Sequence, residues 1–514
     1  MRLSPRALGL SAWRAAERLF DRAFGSAHDP LRHLGAIGFF AFWLLAASGV
    51  VLYIVLATSV AGAWRSIHDL ADAPFALGVL LRGVHRYAAD LLVLAMVAHL
   101  LREWLRRHER GVRRYAWLTG VPLIGIVFAV AIGGFWLHWD QLGQYSAIAT
   151  AEWVDALPFV SSAMARNFLA GGVGDRLFSL FVFVHLGLPL LLVFGLWFHV
   201  QRLTRAAVWP PRALAVGLGL ALATLALALP VASHAPAALD RVPDALRLDW
   251  LLLFVHPLTE ATSPTWVWAL VIGGALLLFA LPFLPSRDAP APAAVVDPAH
   301  CNGCRRCFAD CPYAAITMLP HPNQRIGRQL AVVDADLCVG CGICAGACPS
   351  STPFRSTAQL LTGIDMPQRP IDGLRQKLRD SLALAKSPRP VVVFGCDHGA
   401  DVSRLAADDV HTFSLLCAGQ LPPSFVEYAL RDGAAGVVVA ACREGGCEFR
   451  FGERWTAERL RGAREPHLRA SVDADHVELV YAGRGDEAAL AQAVAGLRSV
   501  ITPLPAGVSD ASHA

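Results

Sequence analysis

The sequence predicts a multidomain chain with three fold classes in succession. These are an all-α transmembrane bundle of about six spans, an α+β domain, and an α/β domain with a mostly parallel sheet. Three observations predict this order. Apolar stretches long enough to cross a bilayer are confined to residues 34–284. All 12 cysteines lie between Cys301 and Cys447, most of them in two copies of C-x2-C-x2-C-x3-C followed by Pro. From residue 390, short β-branched runs alternate with segments of helical period.

A chain of 514 residues is expected to hold several domains. Its average composition, 55% hydrophobic and 17% charged, joins an apolar part to a soluble one. The net charge is only +4, and no basic patch interleaved with aromatics occurs in the soluble part, which excludes nucleic-acid binding. Clustered cysteines without scattered partners fit metal ligation in a reducing compartment, not disulfides. In segment 1–32, Arg14, Glu17 and Arg18 interrupt any apolar core, so it does not read as a secretory signal. Leu10, Trp13, Leu19, Phe20 and Phe24 can instead form one helix face opposite Arg6, Arg14, Arg18 and Arg22. That suits a helix on a membrane surface or an amphipathic packing helix.

The apolar stretches run approximately 34–58, 84–104, 117–138, 178–201, 212–232 and 265–284, each near the ~20 residues a span needs. The N-terminal segment, the loop with Arg102, Arg106, Arg107, Arg110, Arg113 and Arg114, and the loop with Arg202, Arg205 and Arg212 fall on one side. The excess of Arg makes that side the cytoplasm. Six crossings return the chain there, so the expected location is the cell inner membrane, multi-pass, with the cysteine-bearing domains in the cytoplasm.

Histidine is costly inside a bilayer and marks function by default. His85 and His99 share the second stretch, and His185 and His199 the fourth. Each pair is 14 residues apart, about 21 Å along nearly one helix face. The two helices start from the same side, so His85 is expected opposite His185 and His99 opposite His199, giving two stacked bis-His sites for haem b. Gly35 and Gly49, and Gly120 and Gly134, repeat the interval of 14 in the first and third stretches. A residue without a side chain lets a flat macrocycle approach the backbone.

Residues 33–205 resemble the cytochrome b of quinol-oxidising bc-type complexes, through HLGAIGFFAFWLLAASG, RGVHRYAADLLVLAMVAH and GGFWLHWDQLGQYSA. The resemblance implies that the four His hold two b haems and that Arg82 lies near a haem propionate. It continues more weakly through 206–286, two further spans. Where the family has Pro-Glu-Trp-Tyr, this chain reads RLDWL, with Asp249 in place of the Glu that takes a quinol proton. Where the family has Pro-Trp-Gly-Gln, it reads His138-Trp139-Asp140-Gln141. Both departures fall in the quinol pocket, leaving His138, Asp140 and Asp249 as candidate catalytic proton acceptors. Asp249 reads equally as a helix N-cap. The resemblance also suggests a homodimer.

In the cysteine repeats, three ligands of each run grip one cluster and the fourth crosses to the other. Cys301, Cys304, Cys307 and Cys348 form one set; Cys338, Cys341, Cys344 and Cys311 form the second. The repeated triplet with a trailing Cys-Pro distinguishes this from zinc or disulfide patterns. The stretch resembles bacterial-type ferredoxins with two [4Fe–4S] clusters, in a domain of 287–358 that follows a Pro/Ala linker at 285–299. A connecting helix is expected within 359–388.

In the last domain, 389–502, PVVVFG, VHTFSLL, GVVVAA and HVELVYAG read as strands. PSFVEYALRDGA, ERWTAERLRGA and EAALAQAVAGLRSV read as helices. Cys396, Cys417, Cys442 and Cys447 fall at strand ends, where parallel sheets bind ligands. Four thiolates there suit a [2Fe–2S] cluster or zinc. LLCAGQLPPSFVEYAL and GVVVAACREGGCEFRFGERW resemble the iron–sulfur delta subunit of methyl-viologen-reducing hydrogenases, which implies [2Fe–2S]. Many members have a further Cys near the first; here that segment is GCDHGAD, so Cys396 departs most from the pattern. Residues 503–514 read as a tail.

The expected function is a quinone-linked oxidoreductase subunit, an electron wire of the respiratory-chain kind. It would run from quinone or quinol through haem and iron–sulfur centres to a cytoplasmic flavoprotein or a heterodisulfide-reductase-like or hydrogenase-like partner. The alternatives are a membrane-anchored redox sensor or docking module, and a haem wire to a periplasmic donor without a quinone site. Direction of flow is not encoded.

Overall fold

The computed structural model describes residues 4–160, 174–238, 245–285, 291–322, 328–349 and 360–501. It divides into two units, 1–202 with 206–286, and 203–205 with 287–514. The expected tail and part of the expected linker lie outside the described residues.

The first unit is helical. Helix α1 (Pro5–Phe24) is capped by Ser4 Oγ, which accepts from the Ala7 N–H, and ends at Gly25 with φ 78°. Its polar side packs inward. Glu17 is buried, accepts from Trp13 Nε1 at 3.0 Å and pairs with Arg102 and Arg106. Leu8, Leu19 and Phe24 point outward. The expected split into an apolar and a basic face is thus replaced by ion pairs on the inner side and an apolar outer stripe.

Helices α2 (Leu34–Val55), α3 (Leu77–Leu105), α4 (Arg114–Leu137), α5 (Gln141–Asp155) and α6 (Asp175–Val200) follow. Then come α7 (Arg212–Ala228), α8 (Val255–Ala261) and α9 (Pro264–Ala280). α2 packs along α3, and α4 along α6. Among the described residues, five helical segments are long and apolar enough to span: Leu34–Val55, Pro74–Leu105, Gly111–Leu137, Asp175–Val200 and Pro264–Phe283. The sixth expected span, 212–232, contains the 17-residue apolar helix α7, at the short end of the range for a span. Leu229, at φ −127°, leaves the helix just ahead of Pro230, whose ring disfavours a helical residue before it. At 1.5 Å per residue α7 is about 25 Å long, and residues 229–233 carry the chain on to the start of α3, where Tyr87 donates to the Leu229 carbonyl at 2.7 Å. The amphipathic α5, not anticipated, starts at Asp140, whose Oδ1 accepts from the Gly143 N–H at 2.9 Å. Trp268 and Trp117 donate to the Trp153 and Leu278 carbonyls, tying α9 to α5 and α4.

The second unit begins with β1 (Val295–Val296), β2 (Ile316–Pro320), β3 (Gln329–Val333) and β4 (Ile364–Asp365). β2 and β3 form an antiparallel hairpin, and β1 pairs antiparallel with β4. This pairing carries the α+β region past the expected boundary at 358. Short helices at Arg306–Ala309 and Ile343–Gly346 carry the third cysteine of each run.

Next come α10 (Ile371–Ala383), β5 (Val391–Cys396), β6 (Val410–Leu415), α11 (Ser424–Arg431), β7 (Gly436–Ala441), α12 (Gly452–Leu460), β8 (Val477–Tyr481) and α13 (Glu487–Ile501). The sheet is wholly parallel in the order β6-β5-β7-β8. β5 and β7 are buried along their length, as parallel strands covered on both faces are. One face packs on α10 and α11, the other on α13. α10 is therefore part of the core: Leu374, Leu378 and Leu382 are buried against the sheet. Strand order reverses at β5, and the crevice at such a switch point is where ligands bind.

Candidate redox centres

Two histidines of α3 face two of α6. The ring centroids of His85 and His185 are 6.5 Å apart, as are those of His99 and His199. α3 and α6 therefore run parallel. A ring nitrogen lies about 1 Å from its ring centre and binds a transition metal at about 2 Å, so ligands on opposite sides of one iron have centroids about 6 Å apart. Both pairs meet that requirement and fit a bis-His haem.

The outer nitrogens have different partners. Ser48 Oγ donates to the Leu44 carbonyl at 2.6 Å and accepts from His85 Nδ1 at 2.9 Å. His185 Nδ1 is 3.0 Å from the Val130 carbonyl, and His199 Nδ1 is 3.4 Å from Thr119 Oγ1. His99 Nδ1 is 4.0 Å from Glu103. The hydrogen bonds at His85, His185 and His199 orient the rings and would leave Nε2 to hold a haem iron. Sequence reasoning missed Ser48 and Thr119, although each hydroxyl residue directly precedes one of the spaced glycines.

Each glycine lies against one of these rings. A methyl group on Gly49, Gly134, Gly120 or Gly35 would sit 3.1, 3.0, 3.0 or 3.6 Å from Cε1 of His85, His185, His199 or His99. The imidazole rings lie in the room that these glycines leave.

A cavity of about 720 Å³ is lined by His85 and His185 together with Arg82, His138, Asp140 and Asp249. Arg82 donates to Ser233 Oγ at 2.7 Å. His138 Nε2 is 3.0 Å from Asp140 Oδ2, which also accepts from the His234 N–H. Burial alone would raise the Asp140 pKa. Hydrogen bonds from His138, Gly143 and His234 outweigh it and hold the carboxyl at about 2. Asp249 Oδ1 accepts from the backbone N–H of Leu251 and Leu252 at 3.1 and 2.8 Å. Its Oδ2 pairs with Arg86, a residue not singled out in the sequence, which also holds Asp90 at 2.6 Å.

The ferredoxin-type cysteines gather into the two sets that the crossing pattern requires. Cys301, Cys304, Cys307 and Cys348 line one small cavity. Burial pushes the Cys307 thiol up to about 12, and its three partners push it the same way. In the other set, burial raises Cys311, Cys341 and Cys344, with Cys338 among the neighbours of each. Thiols that resist ionisation alone are suited to a cation that replaces their protons. Cys311 Sγ also accepts from the Ala315 N–H at 3.2 Å.

The last four cysteines meet at the carboxyl ends of β5, β6 and β7. Cys396 Sγ is 3.5 Å from Cys442 Sγ. Cys417 and Cys442 both hydrogen-bond to Cys396 and to Cys447, closing a ring of four sulfurs that holds Cys396 and Cys447 low and pushes the other two up. A side chain at Gly452 would put Cβ 2.1 Å from Cys417 Sγ, so only glycine fits there. Burial pushes nearby Glu453, also missed from sequence, up to about 9.

The cytochrome b/b6/petB family matches residues 26–207. Over 185 residues the chain is 32% identical to cytochrome b6 of Tupiella akineta, a match that takes in 35% of this chain and 83% of that one. The chain belongs to the cytochrome b/b6 family. Cytochrome b6 of Porphyra purpurea is 30% identical over 185 residues, with the same two shares of 35% and 83%. A solved structure, a hyperthermophilic respiratory Complex III, is similar at 20% identity with a TM-score of 0.39, covering 49% of this chain and 75% of that one. Beyond the cytochrome b region, a 4Fe-4S dicluster domain matches residues 300–352, and the methyl-viologen-reducing hydrogenase delta subunit matches 384–504. This cytochrome b is thus fused to a ferredoxin-type and a hydrogenase-delta-type domain. It is a multi-pass membrane electron-transfer protein with haem and [4Fe–4S] cofactors.

Proposed function

We propose that this cytochrome b links the quinone pool to a soluble redox partner. His85 with His185 and His99 with His199 hold two b haems, and the two ferredoxin-type sets hold one [4Fe–4S] cluster each. Cys396, Cys417, Cys442 and Cys447 hold a [2Fe–2S] cluster. The hydrogenase-delta match favours a cluster over zinc at these four. When bound, these groups supply one-electron transfer.

The observation that carries the quinone link is the polar group at the wall of the cavity whose His85 and His185 hold a haem: His138, Asp140, Arg86 and Asp249 stand there together. A few convergent polar groups on an apolar wall are what a quinone ring requires. His138, turned by Asp140, accepts a proton from a hydroquinone hydroxyl. The ionised Asp140 stabilises the imidazolium formed. Asp249, with both oxygens engaged, holds Arg86 at the cavity wall and is the second acidic group of the site. Arg82 faces the same space.

The Arg-rich loop between α3 and α4 supports an inner-membrane orientation with the iron–sulfur domains in the cytoplasm. The hydrogenase-delta match supports a flavoprotein, heterodisulfide-reductase-like or hydrogenase-like partner. The test is anaerobic: a reduced quinone analogue is mixed with the full chain while b-type haem absorption is followed. Reduction in wild type that slows strongly in His138→Ala supports the site. Haems that respond to no quinol or quinone, yet reduce from a soluble donor, would contradict it.

A further inference from the structure

Between the second ferredoxin-type set and the C-terminal set lies a buried guanidinium. Arg459, on α12, is 1% exposed. Its Nη1 donates to the Gly419 carbonyl at 2.8 Å, two residues past Cys417. Its Nη2 donates to Asp310 Oδ2 at 2.6 Å, one residue before Cys311, and lies 3.5 Å from the carbonyl of Ile343, one residue before Cys344. Asp310 is buried too, and its other oxygen accepts from Arg464 at 2.6 Å. Nε of Arg459 is buried without a partner.

The backbones around Arg459 are in direct contact. A side chain at Gly346 would strike the Gly419 carbonyl at 2.2 Å and Arg459 Nη1 at 2.8 Å. One at Gly419 would meet Ile343 at 2.9 Å. Cys341, Ile343, Cys417, Cys447 and Trp455 form one apolar cluster. The first ferredoxin-type set has no ligand in that cluster, and its Cys304 is exposed. A buried ion pair is a poor device for stability, since apolar residues of the same volume serve as well or better. A guanidinium fixed between two electron-bearing centres serves another purpose: its planar fork sets their spacing, and it compensates the Asp310 carboxylate, which alone would disfavour the reduced form of both.

We infer that Arg459 is a positioning residue for electron exchange between the cluster of Cys311, Cys338, Cys341 and Cys344 and the centre of Cys396, Cys417, Cys442 and Cys447. It locks the two ligand loops together and offsets the buried Asp310 carboxylate between them. The step moves a single electron from one centre to the other, with no bond made or broken. This rests on the reading of both sets as redox centres.

The experiment is electron paramagnetic resonance of the fully reduced full chain, with a redox titration and iron analysis. Wild type shows spin–spin broadening between the two centres. Arg459→Met shifts both midpoint potentials downward and loses the broadening. Arg459→Lys keeps the charge without the fork, so it brings the potentials back toward wild type while the broadening stays reduced. Unchanged potentials and broadening in Arg459→Met overturn the inference. If Arg459→Met does not load iron, Arg459→Lys decides: full iron with undiminished broadening overturns it. A wild-type protein with zinc at the C-terminal thiols would instead sink the reading of that set, a distinct result visible in the metal content.

Discussion

Ser48 Oγ lies 2.9 Å from His85 Nδ1, and its own proton is committed to the Leu44 carbonyl at 2.6 Å. The hydroxyl therefore accepts from the imidazole and makes it a stronger donor to iron, which favours the oxidised metal. Ser48→Ala should raise the potential of the haem at His85–His185 and leave the other unchanged. A potentiometric titration followed in the haem absorption bands checks this. A shift in both haems, or in neither, counts against the assignment.

The two His pairs should fail separately. His99→Ala should roughly halve the haem content while the iron–sulfur signals stay intact, because no cysteine set depends on α3. His85→Ala should also halve it, removing the other haem. Haem extraction with total iron analysis reads both effects.

Gly120 and Gly134 carry a steric prediction. A methyl group at either would stand 3.0 Å from an imidazole carbon, and Val adds more. Overpacking of this kind costs about 1–3 kcal/mol. Gly134→Val should displace His185 and cost haem at that pair, whereas Gly125→Val, with open space around it, should not. Haem occupancy and thermal unfolding of both variants test it.

Asp140 gives the pH dependence. Its carboxyl sits at about 2 against an ordinary 3.8, so folding favours the ionised form. That stabilisation is complete above ~pH 4 and lost as pH falls through the folded value, on the order of 2 kcal/mol in all. Wild type should release haem more steeply than Asp140→Asn as detergent solutions are acidified across that window. Parallel curves would mean that Asp140 is not held as described.

The features that follow a spacing were legible in the sequence. The interval of 14 between His85 and His99 and between His185 and His199 is a helix property, and it placed both pairs. The two cysteine runs carried their own set assignment, and β-branched runs marked the four parallel strands. What escaped depends on tertiary context. The helix within the expected span 212–232 ends at Ala228 because one proline outweighs an apolar run that hydropathy alone would continue. The sequence marks α10 only as a connecting helix, although Leu374, Leu378 and Leu382 recur at every fourth position; which surface such a stripe covers is decided only by the sheet. Asp249 carried two readings because the Arg86 side chain that engages it is 163 positions away in sequence. Arg459 and Asp310 belong to no motif and have no periodic signal, so only the packed structure brings them together.

The most direct test is one rapid-mixing measurement, with a reduced quinone analogue added anaerobically to the full chain. Haem absorption and iron–sulfur resonance are sampled together, in wild type and in His99→Ala. A continuous route predicts haem reduction first and cluster reduction after it in wild type, with clusters that stay oxidised in His99→Ala despite full iron. Clusters reduced at the wild-type rate in His99→Ala would contradict it.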